Sequence, residues 1–362
     1  MTNINSSRNF QSQSKLEIDL DALVANWQFF CGLGNAEVAA VVKANAYGLG
    51  IEKCADALFD ASCNTFFVAH LGEGIELRKH LGKAAKIYVL NGFIGDEVQY
   101  FPENTLTPVL NNFEQLGLWK NQRLPCAMHF DTGINRLGIR FDEAEKAHEM
   151  LENQSVELVM SHLACASETS HPLNQTQSRR FGQICDLFPN SKKSLSASAG
   201  ALLGEGFHFD LLRPGIGLYG SNPNERATNP MRPVLTLTSP IIQLRELKAG
   251  ESFGYGAAYT ASKKTKIAIV ALGYADGFLR SASNSGFGVI KGVKCPIIGR
   301  VSMDLIALDI SKVSNPLSCG EMVEFLGKHA DIDEQASSMG TIAYEILTRL
   351  GNRFQRNYVK AK

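Results

Sequence analysis

The sequence predicts an α/β protein: an N-terminal (β/α)8 barrel of the TIM type followed by a mainly antiparallel β C-terminal domain. Three observations predict it. The chain has 362 residues, more than the ~100–200 of an ordinary domain. Up to about residue 230, short apolar runs alternate roughly eight times with helix-like stretches, the pattern of a barrel, although a doubly wound open sheet gives similar local signals. Beyond Pro230 and Pro233 the texture changes to extended runs punctuated by Gly, Pro, Ser and Asn.

The strand candidates of the first part are VAAVVKA from 38, TFFVAH from 65, KIYVL from 86, TLTPVL from 105, CAMHF from 126, VELVMS from 156, SLSAS from 194 and GIGLYG from 215. β-Branched and aromatic residues dominate them, as in strands buried on both faces. Between them, 50–58, 72–81, 142–151 and 174–187 carry apolar residues at helical intervals with charges on the other face. The second part offers LTLTSPIIQL, TKIAIVAL, GVIKGV, CPIIG and DLIALDI, then a helix-like segment over 339–350. The polar, proline-containing stretch SNPNERATNPMRP at 221–233 reads as the junction. We therefore expect a flexible tail over 1–14, the barrel over 15–230 and the β-rich domain over 231–362.

Composition removes several function classes. Hydrophobic residues make up 44% and charged residues 20%, which is enough apolar material for a large core and argues against disorder over most of the length. Lys plus Arg and Asp plus Glu both number 36, so no global field draws nucleic acid or an anionic membrane. The eight cysteines are scattered, with no CxxC pair and no metal-ligand spacing with histidine, which fits free thiols in a reducing cytosol. The amino terminus, MTNINSSRNFQSQSK, is polar, without a secretory or membrane-spanning run. These features predict a soluble cytoplasmic protein.

Reactive residues of a barrel sit at the C-terminal ends of its strands. Lys43 closes the first apolar run. It is either a lysine snorkelling at a strand end or an amine of lowered pKa able to form a Schiff base. Ser198 follows the seventh candidate strand, and Gly215 with Ile216 begins the eighth. Barrels frequently bind phosphate at that position, although a Ser/Gly turn is also an ordinary loop. Arg213, read alone before a proline, is more often a surface ion-pair partner.

The segment AVVKANAYGLG around Lys43 resembles the pyridoxal phosphate-dependent alanine racemases. The resemblance continues through HFDTGINRLGI (129–139), SHLACASE (161–168) and RPGIGLYG (213–220), then GYGAAYTA (254–261), GYADGFLR (273–280), GRVSMD (299–304) and AYEI (343–346), covering nearly the whole chain. It implies that Lys43 carries pyridoxal 5'-phosphate and that Tyr47, Ser198, Gly215, Ile216 and Tyr344 hold the phosphate. Arg213 would face the pyridine nitrogen, an always-charged group that keeps it unprotonated. His162 would pack beside the ring, unless it is a satisfied strand-end histidine. Racemisation needs one base on each face of the α-carbon. Lys43 is one; the resemblance makes Tyr255, contributed by a partner subunit, the other. Tyr259 is its rival, but the glycines flanking Tyr255 favour Tyr255. Arg136 would meet the substrate carboxylate, with Met303 and Asp304 of the partner's second domain bordering the substrate.

The implied activity is interconversion of L- and D-alanine by two bases on an external aldimine, in a homodimer with shared sites. Alternatives are a broad-specificity or serine racemase of the same fold, and a non-catalytic barrel that buffers the cofactor; the latter kind lacks a second domain. The fold-sharing basic amino acid decarboxylases use a cysteine where this chain has Met303. The chain also departs from the family pattern. His129 stands where many members have a carbamylated lysine that steadies the arginine, Ala197 and Ala343 replace asparagines, and Ile134-Asn135 replaces the commoner Met-Gly. These departures imply altered support around Arg136 rather than different chemistry.

Overall fold

A computed structural model describes residues 13–151, 154–224 and 228–360. The chain divides into two units, one of Leu20–Arg232 and one joining the N-terminal segment to Pro233–Lys360.

The first unit is the barrel. Strands Ala40–Val41, Thr65–Val68, Lys86–Val89, Thr107–Leu110, Cys126–Asp131, Val156–Met160 and Lys192–Ser194 pair in that order, all parallel. Closure comes from Leu211–Leu212, which pairs parallel with Glu37–Val38, and from a parallel bridge between Ala197 and Arg213. Thr65–Val68 and Thr107–Leu110 are buried at every position, as parallel strands covered on both faces require. Phe67 and Tyr88 stack at 4.8 Å between neighbouring strands.

The helices sit where the periodicity places them, at Ile51–Asp60, Leu71–Leu81, Ala144–Met150 and Pro172–Leu187. The eighth strand is a correction. GIGLYG was expected to form it, yet Ile216–Tyr219 is a 3-10 helix, and the strand is Leu211–Leu212 just before it. Two glycines in six residues made the apolar run look extended, but the turn they permit lets the chain close over the barrel mouth. The junction is packed rather than loose. Asn26 donates to Arg232 O (2.9 Å) and accepts the Arg232 N–H (2.7 Å), and Asn229 donates to Gly220 O (2.9 Å).

The second unit is a mainly antiparallel sheet around Leu235–Leu247, a strand of 13 residues. Its first half pairs with Lys15–Asp19 and Met322–Leu326. Past an irregularity between Ile241 and Gln243 its second half pairs with Thr265–Val270. Gln355–Val359 adds one parallel pair to Lys15–Asp19. Residues 15–19 therefore belong to the β unit, not to the barrel as expected; the short KLEID strand reads equally well as the start of either. Residues 1–12 of the expected tail lie outside the described residues. Ser14 does not belong to a tail, since it is buried and its Oγ lies within hydrogen-bond distance of Ser239 Oγ and Ala271 O, both at 2.9 Å. Ile267, Ile269, Ile298 and Ala307 form one apolar cluster of this unit, and Phe278 meets Phe325 edge-on at 5.3 Å.

Candidate active site

The chain leaves the first barrel strand through Lys43 into a left-handed turn. Ala44, Asn45, Ala46 and Tyr47 have φ of 53°, 55°, 52° and 54°, a conformation that costs a non-glycine residue ~1–2 kcal/mol each. The turn is closed by the Ala46 N–H on Val42 O (2.9 Å) and the Gly48 N–H on Ala44 O (2.8 Å). Glu73, in the first turn of helix Leu71–Leu81, accepts the Ala44 N–H on one oxygen and the Ala69 N–H on the other, both at 2.7 Å. The turn leaves Lys43 at the strand's C-terminal end and buries Tyr47, whose ring stacks on Tyr219 at 4.5 Å. Tyr219 is itself fixed by donating to Val41 O (2.9 Å).

Across the barrel mouth, Ser198 opens a short helix after the seventh strand. Its Oγ accepts the N–H groups of Gly215 (2.9 Å) and Gly217 (3.1 Å), which leaves its own proton to donate. Gly215 is glycine for a local reason: a Cβ there would overlap the Tyr47 hydroxyl. Tyr47 and Ser198 thus bring two hydroxyls to the Gly215 turn, a pair suited to an anion.

Arg213 is almost fully buried. Its guanidinium donates to Ser194 Oγ, to Ser161 O (2.6 Å) and more weakly to Leu195 O (3.4 Å), and lies over the Phe67 ring at 6.0 Å. No carboxylate pairs with it among the described residues. Burial pushes its pKa down to about 9, which still leaves it charged at neutrality. His162 follows the sixth strand, and its peptide is bracketed by Gln177, which donates to His162 O (2.9 Å) and accepts the Ala164 N–H (2.8 Å). Burial, then Arg213, Arg136, His129 and Lys43, hold the His162 ring well below the usual imidazole range. Burial likewise lowers the Lys43 pKa. Arg136 adds to the effect and Glu73 opposes it, so the amine is more readily unprotonated than a surface lysine.

Arg136 lies exposed on the loop after the fifth strand. That loop is gathered by the Asp131 carboxylate, which accepts the N–H groups of Gly133 (2.8 Å), Asn135 (3.1 Å) and Arg136 (3.0 Å). His129, on the strand itself, is buried with its Nδ1 2.8 Å from Asn111 Oδ1.

Within the second unit, Tyr255 sits on a turn between Gly254 (φ 77°) and Gly256 (φ 68°) and is 73% exposed. The Arg300 guanidinium packs on Gly256, 3.1 Å from where a Cβ would stand. Tyr259 instead packs against the Ile267 and Ile269 cluster, a core role that sets it apart from Tyr255. Met303 is exposed, and the loop carrying it is laced to the 273–277 turn: Tyr274 N–H donates to Ser302 O (3.1 Å) and Ala275 N–H to Met303 O (2.9 Å). Buried Asp276 accepts the Gly273 N–H (2.9 Å) and an Arg353 N–H (3.1 Å), and Arg353 also donates to Asp304 (2.8 Å). Tyr344 lies on helix Ala343–Arg349.

The structure therefore brings Lys43, Tyr47, Arg136, His162, Ser198, Arg213, Gly215 and Ile216 to the C-terminal end of the barrel, and places Tyr255, Met303, Asp304 and Tyr344 in the other unit. Sequence reasoning missed Glu73, Asn111, Gln177 and the Asp276–Arg353 pair. Only Glu73 left a signal, as the third residue of a helix whose backbone entry it caps.

An amine of depressed basicity, two hydroxyls at a glycine turn and a buried arginine with no carboxylate partner among the described residues, all at a barrel mouth, are the groups that an imine-forming lysine enzyme with a small anionic ligand requires. Comparison with known proteins narrows this. The family model described as "Alanine racemase, N-terminal domain" matches residues 18–223, and "Alanine racemase, C-terminal domain" matches 234–358. The chain is 43% identical over 373 residues to the biosynthetic alanine racemase of Agrobacterium fabrum, covering 97% of this chain and 95% of that one. It is 43% identical over 356 residues to the catabolic enzyme of the same organism, covering 95% and 92%. Among solved structures it resembles alanine racemase from Bartonella henselae with covalently bound pyridoxal phosphate (TM-score 0.92, 34% identity, 96% of this chain and 100% of that one). It also resembles the biosynthetic alanine racemase of Pseudomonas aeruginosa (TM-score 0.91, 34% identity, 96% and 99%). The chain belongs to the alanine racemase family.

Proposed function

We propose that the protein is a pyridoxal phosphate-dependent alanine racemase that interconverts L- and D-alanine. The observation that carries this reading is the coincidence at one barrel mouth of the depressed Lys43 amine, the Ser198–Gly215–Tyr47 cradle and the carboxylate-free Arg213. The cradle fits a phosphate ester, because the Ser198 hydroxyl, held by two backbone N–H groups, keeps its own proton to donate, and the Tyr47 hydroxyl comes so close to Gly215 that only a glycine fits there. Pyridoxal phosphate, when bound, supplies an aldehyde for the amine and a conjugated ring that spreads the charge left on the α-carbon.

The chain's own residues do the rest. Lys43, once released by the incoming amino acid, takes or returns a proton on one face of the α-carbon, a role its lowered pKa suits. The partner subunit's Tyr255 is assigned the opposite face, and its exposure on this chain leaves the phenol available for that role. Arg213 would donate a hydrogen bond toward the ring nitrogen while keeping its own proton, so that the nitrogen would stay unprotonated, the ring a weak electron sink and side reactions suppressed. Neutral His162 flanks the ring without adding charge. Arg136 meets the substrate carboxylate. The partner subunit's Met303 and Asp304 border the side-chain pocket, where each excluded methylene is worth ~1–3 kcal/mol of selectivity. Tyr344 is assigned to the phosphate by family resemblance.

This reading makes the protein a homodimer acting in the cytoplasm, where D-alanine feeds cell-wall precursor synthesis. No helix among the described residues is long and apolar enough to cross a membrane. A match of 234–358 to the family's C-terminal domain speaks against a one-domain cofactor carrier. Purified protein should show a near-visible absorption band that borohydride bleaches onto the Lys43 peptide, and should racemise either alanine enantiomer. Mixing Lys43→Ala with Tyr255→Phe chains should restore about a quarter of the sites under random exchange. No band after reconstitution, or no racemisation, overturns the proposal.

A further inference from the structure

We propose that Glu73 is a positioning residue for Lys43: its two carboxylate oxygens bridge the peptide that follows Lys43 to the exit of the neighbouring barrel strand, fixing the backbone from which the lysine side chain leaves and setting a negative charge near its amine. The argument starts from the ladder between Ala40–Val41 and Thr65–Val68. Val41 pairs with Phe67, and the last rung is the Val42 N–H on Phe67 O (2.9 Å). A regular parallel ladder would continue with the Ala69 N–H on Val42 O and the Ala44 N–H on Ala69 O. The left-handed turn diverts it. Val42 O accepts the Ala46 N–H instead (2.9 Å), and Ala69 O accepts the Asn91 N–H from the exit of the next strand (3.1 Å). Two N–H groups are left over, and two donors cannot pair with each other. A carboxylate, which only accepts, serves both. Glu73 takes the Ala44 N–H on Oε1 and the Ala69 N–H on Oε2, each at 2.7 Å.

Glu73 is also the third residue of helix Leu71–Leu81, where a glutamate ordinarily turns back to the N–H of the residue before the helix. The distances decide between the two roles. The capping bond, from the His70 N–H to Oε2, is 3.3 Å, whereas both bonds to the strand exits are 2.7 Å, and one of them spans 29 residues of sequence. Charge-assisted bonds of that length are the strong ones, so the carboxylate serves the turn more than its own helix. What it steadies is a costly conformation, four consecutive positive φ values immediately after Lys43. The bridge also places a charge. Besides burial, Arg136 lowers the Lys43 pKa and Glu73 raises it, while His162, which feels the Lys43 charge, is itself held neutral. Glu73 is thus the counterweight that keeps a largely buried amine basic enough to take up a proton.

This inference rests on the proposed role of Lys43 as proton carrier, and the test separates the two. In the full cofactor-free chain, competitive acetylation by trace acetic anhydride over a range of pH gives the pKa of the amine without any activity. It is read by mass spectrometry of the Lys43 peptide, with exposed Lys83 as internal reference. Glu73→Gln keeps the shape of the side chain but offers one acceptor oxygen for two N–H groups. It should lower the Lys43 pKa by about half a unit and speed hydrogen exchange of the Ala44 or the Ala69 amide about tenfold. Loss of a helix cap alone would leave the Lys43 pKa where it was. In the loaded enzyme the same variant should lose about tenfold in kcat with KM for alanine within about threefold, since Glu73 touches no group assigned to the substrate carboxylate. A Lys43 pKa indifferent to Glu73→Gln, unchanged exchange at both amides, or wild-type kcat overturns the proposal. If pKa and exchange respond as stated but the wild type racemises neither enantiomer of alanine, the proposed function falls and the bridge stands. If Glu73→Gln does not fold, amide spectra of the wild type decide alone: the Ala44 and Ala69 N–H shifts should move together with a shared midpoint on acidification, and shifts that move apart or not at all overturn the proposal.

Discussion

Replacing Gly215 by alanine tests the cradle most directly. The new methyl overlaps the Tyr47 hydroxyl and would lie 3.2 Å from its Cζ and 3.5 Å from Val41 Cβ. Tyr47 cannot simply swing aside, because it is buried, stacked on Tyr219 and carried by a backbone with four consecutive positive φ values. Overpacking of this kind costs about 1–3 kcal/mol of fold stability. If Tyr47 holds the phosphate as proposed, relief by displacing the hydroxyl removes one donor to a charged group, worth about 1.5–3 kcal/mol, or roughly a 10- to 150-fold rise in Kd. Titration of cofactor-free protein with pyridoxal phosphate, followed by absorbance, measures the second quantity, and urea unfolding of the same protein measures the first. Tyr47→Phe is the control, losing the hydroxyl without the clash; it should weaken cofactor binding at a smaller cost in unfolding midpoint than Gly215→Ala. If Gly215→Ala binds and unfolds like wild type, Tyr47 and Gly215 do not face each other as described.

Three further outcomes follow from the structure. His129 has a folded-state pKa of about 3 against 6.5 for the free imidazole. Its contribution is therefore fully present above pH 6.5 and is lost as pH falls toward 3, at up to ~1.4 kcal/mol per unit. Urea melts should show His129→Asn losing about 2 kcal/mol less than wild type between pH 7 and pH 5, and parallel losses would refute the assignment. Asp276→Ala strands the Gly273 N–H and Arg353 and loosens the turn beside Met303, so it should cost about 2–3 kcal/mol in urea. Half-exposed Arg353→Met should cost under about 1 kcal/mol by the same measurement. Under native conditions a thiol reagent should modify exposed Cys319 first, whereas Cys54, Cys63 and Cys126, whose thiols burial pushes up to about 12, should react only on unfolding.

Most of the barrel was legible because parallel strands covered on both faces print as unbroken apolar runs, such as TFFV and TPVL, separated by amphipathic helices. The runs failed where two residues suffice for a strand: Leu211–Leu212 carries no periodicity, and the glycine-rich segment after it looked more extended than it is. The KLEID strand joins a sheet whose other members lie more than two hundred residues away, a separation that local pattern cannot encode. The site split in the same way. Lys43, Arg213 and Ser198 are chemically loud at strand ends. Asn111 and Gln177 act through amide hydrogen bonds to groups 13 to 45 residues distant, or to a ring 18 residues on, and nothing in their neighbourhoods distinguishes them from surface amides.

The left-handed turn behind Lys43 leaves the main chain there little slack. Its carbonyls and N–H groups are already committed to Val42, Ala44 and Glu73, so the amine can travel only by rotating about the bonds of its own side chain. In the proposed role, a proton carrier tethered in that way returns to the same spot on every cycle. Its reach is set by four methylenes anchored to a fixed post, and any substitution that lets the post wander should blur the stereochemical bookkeeping before it abolishes turnover.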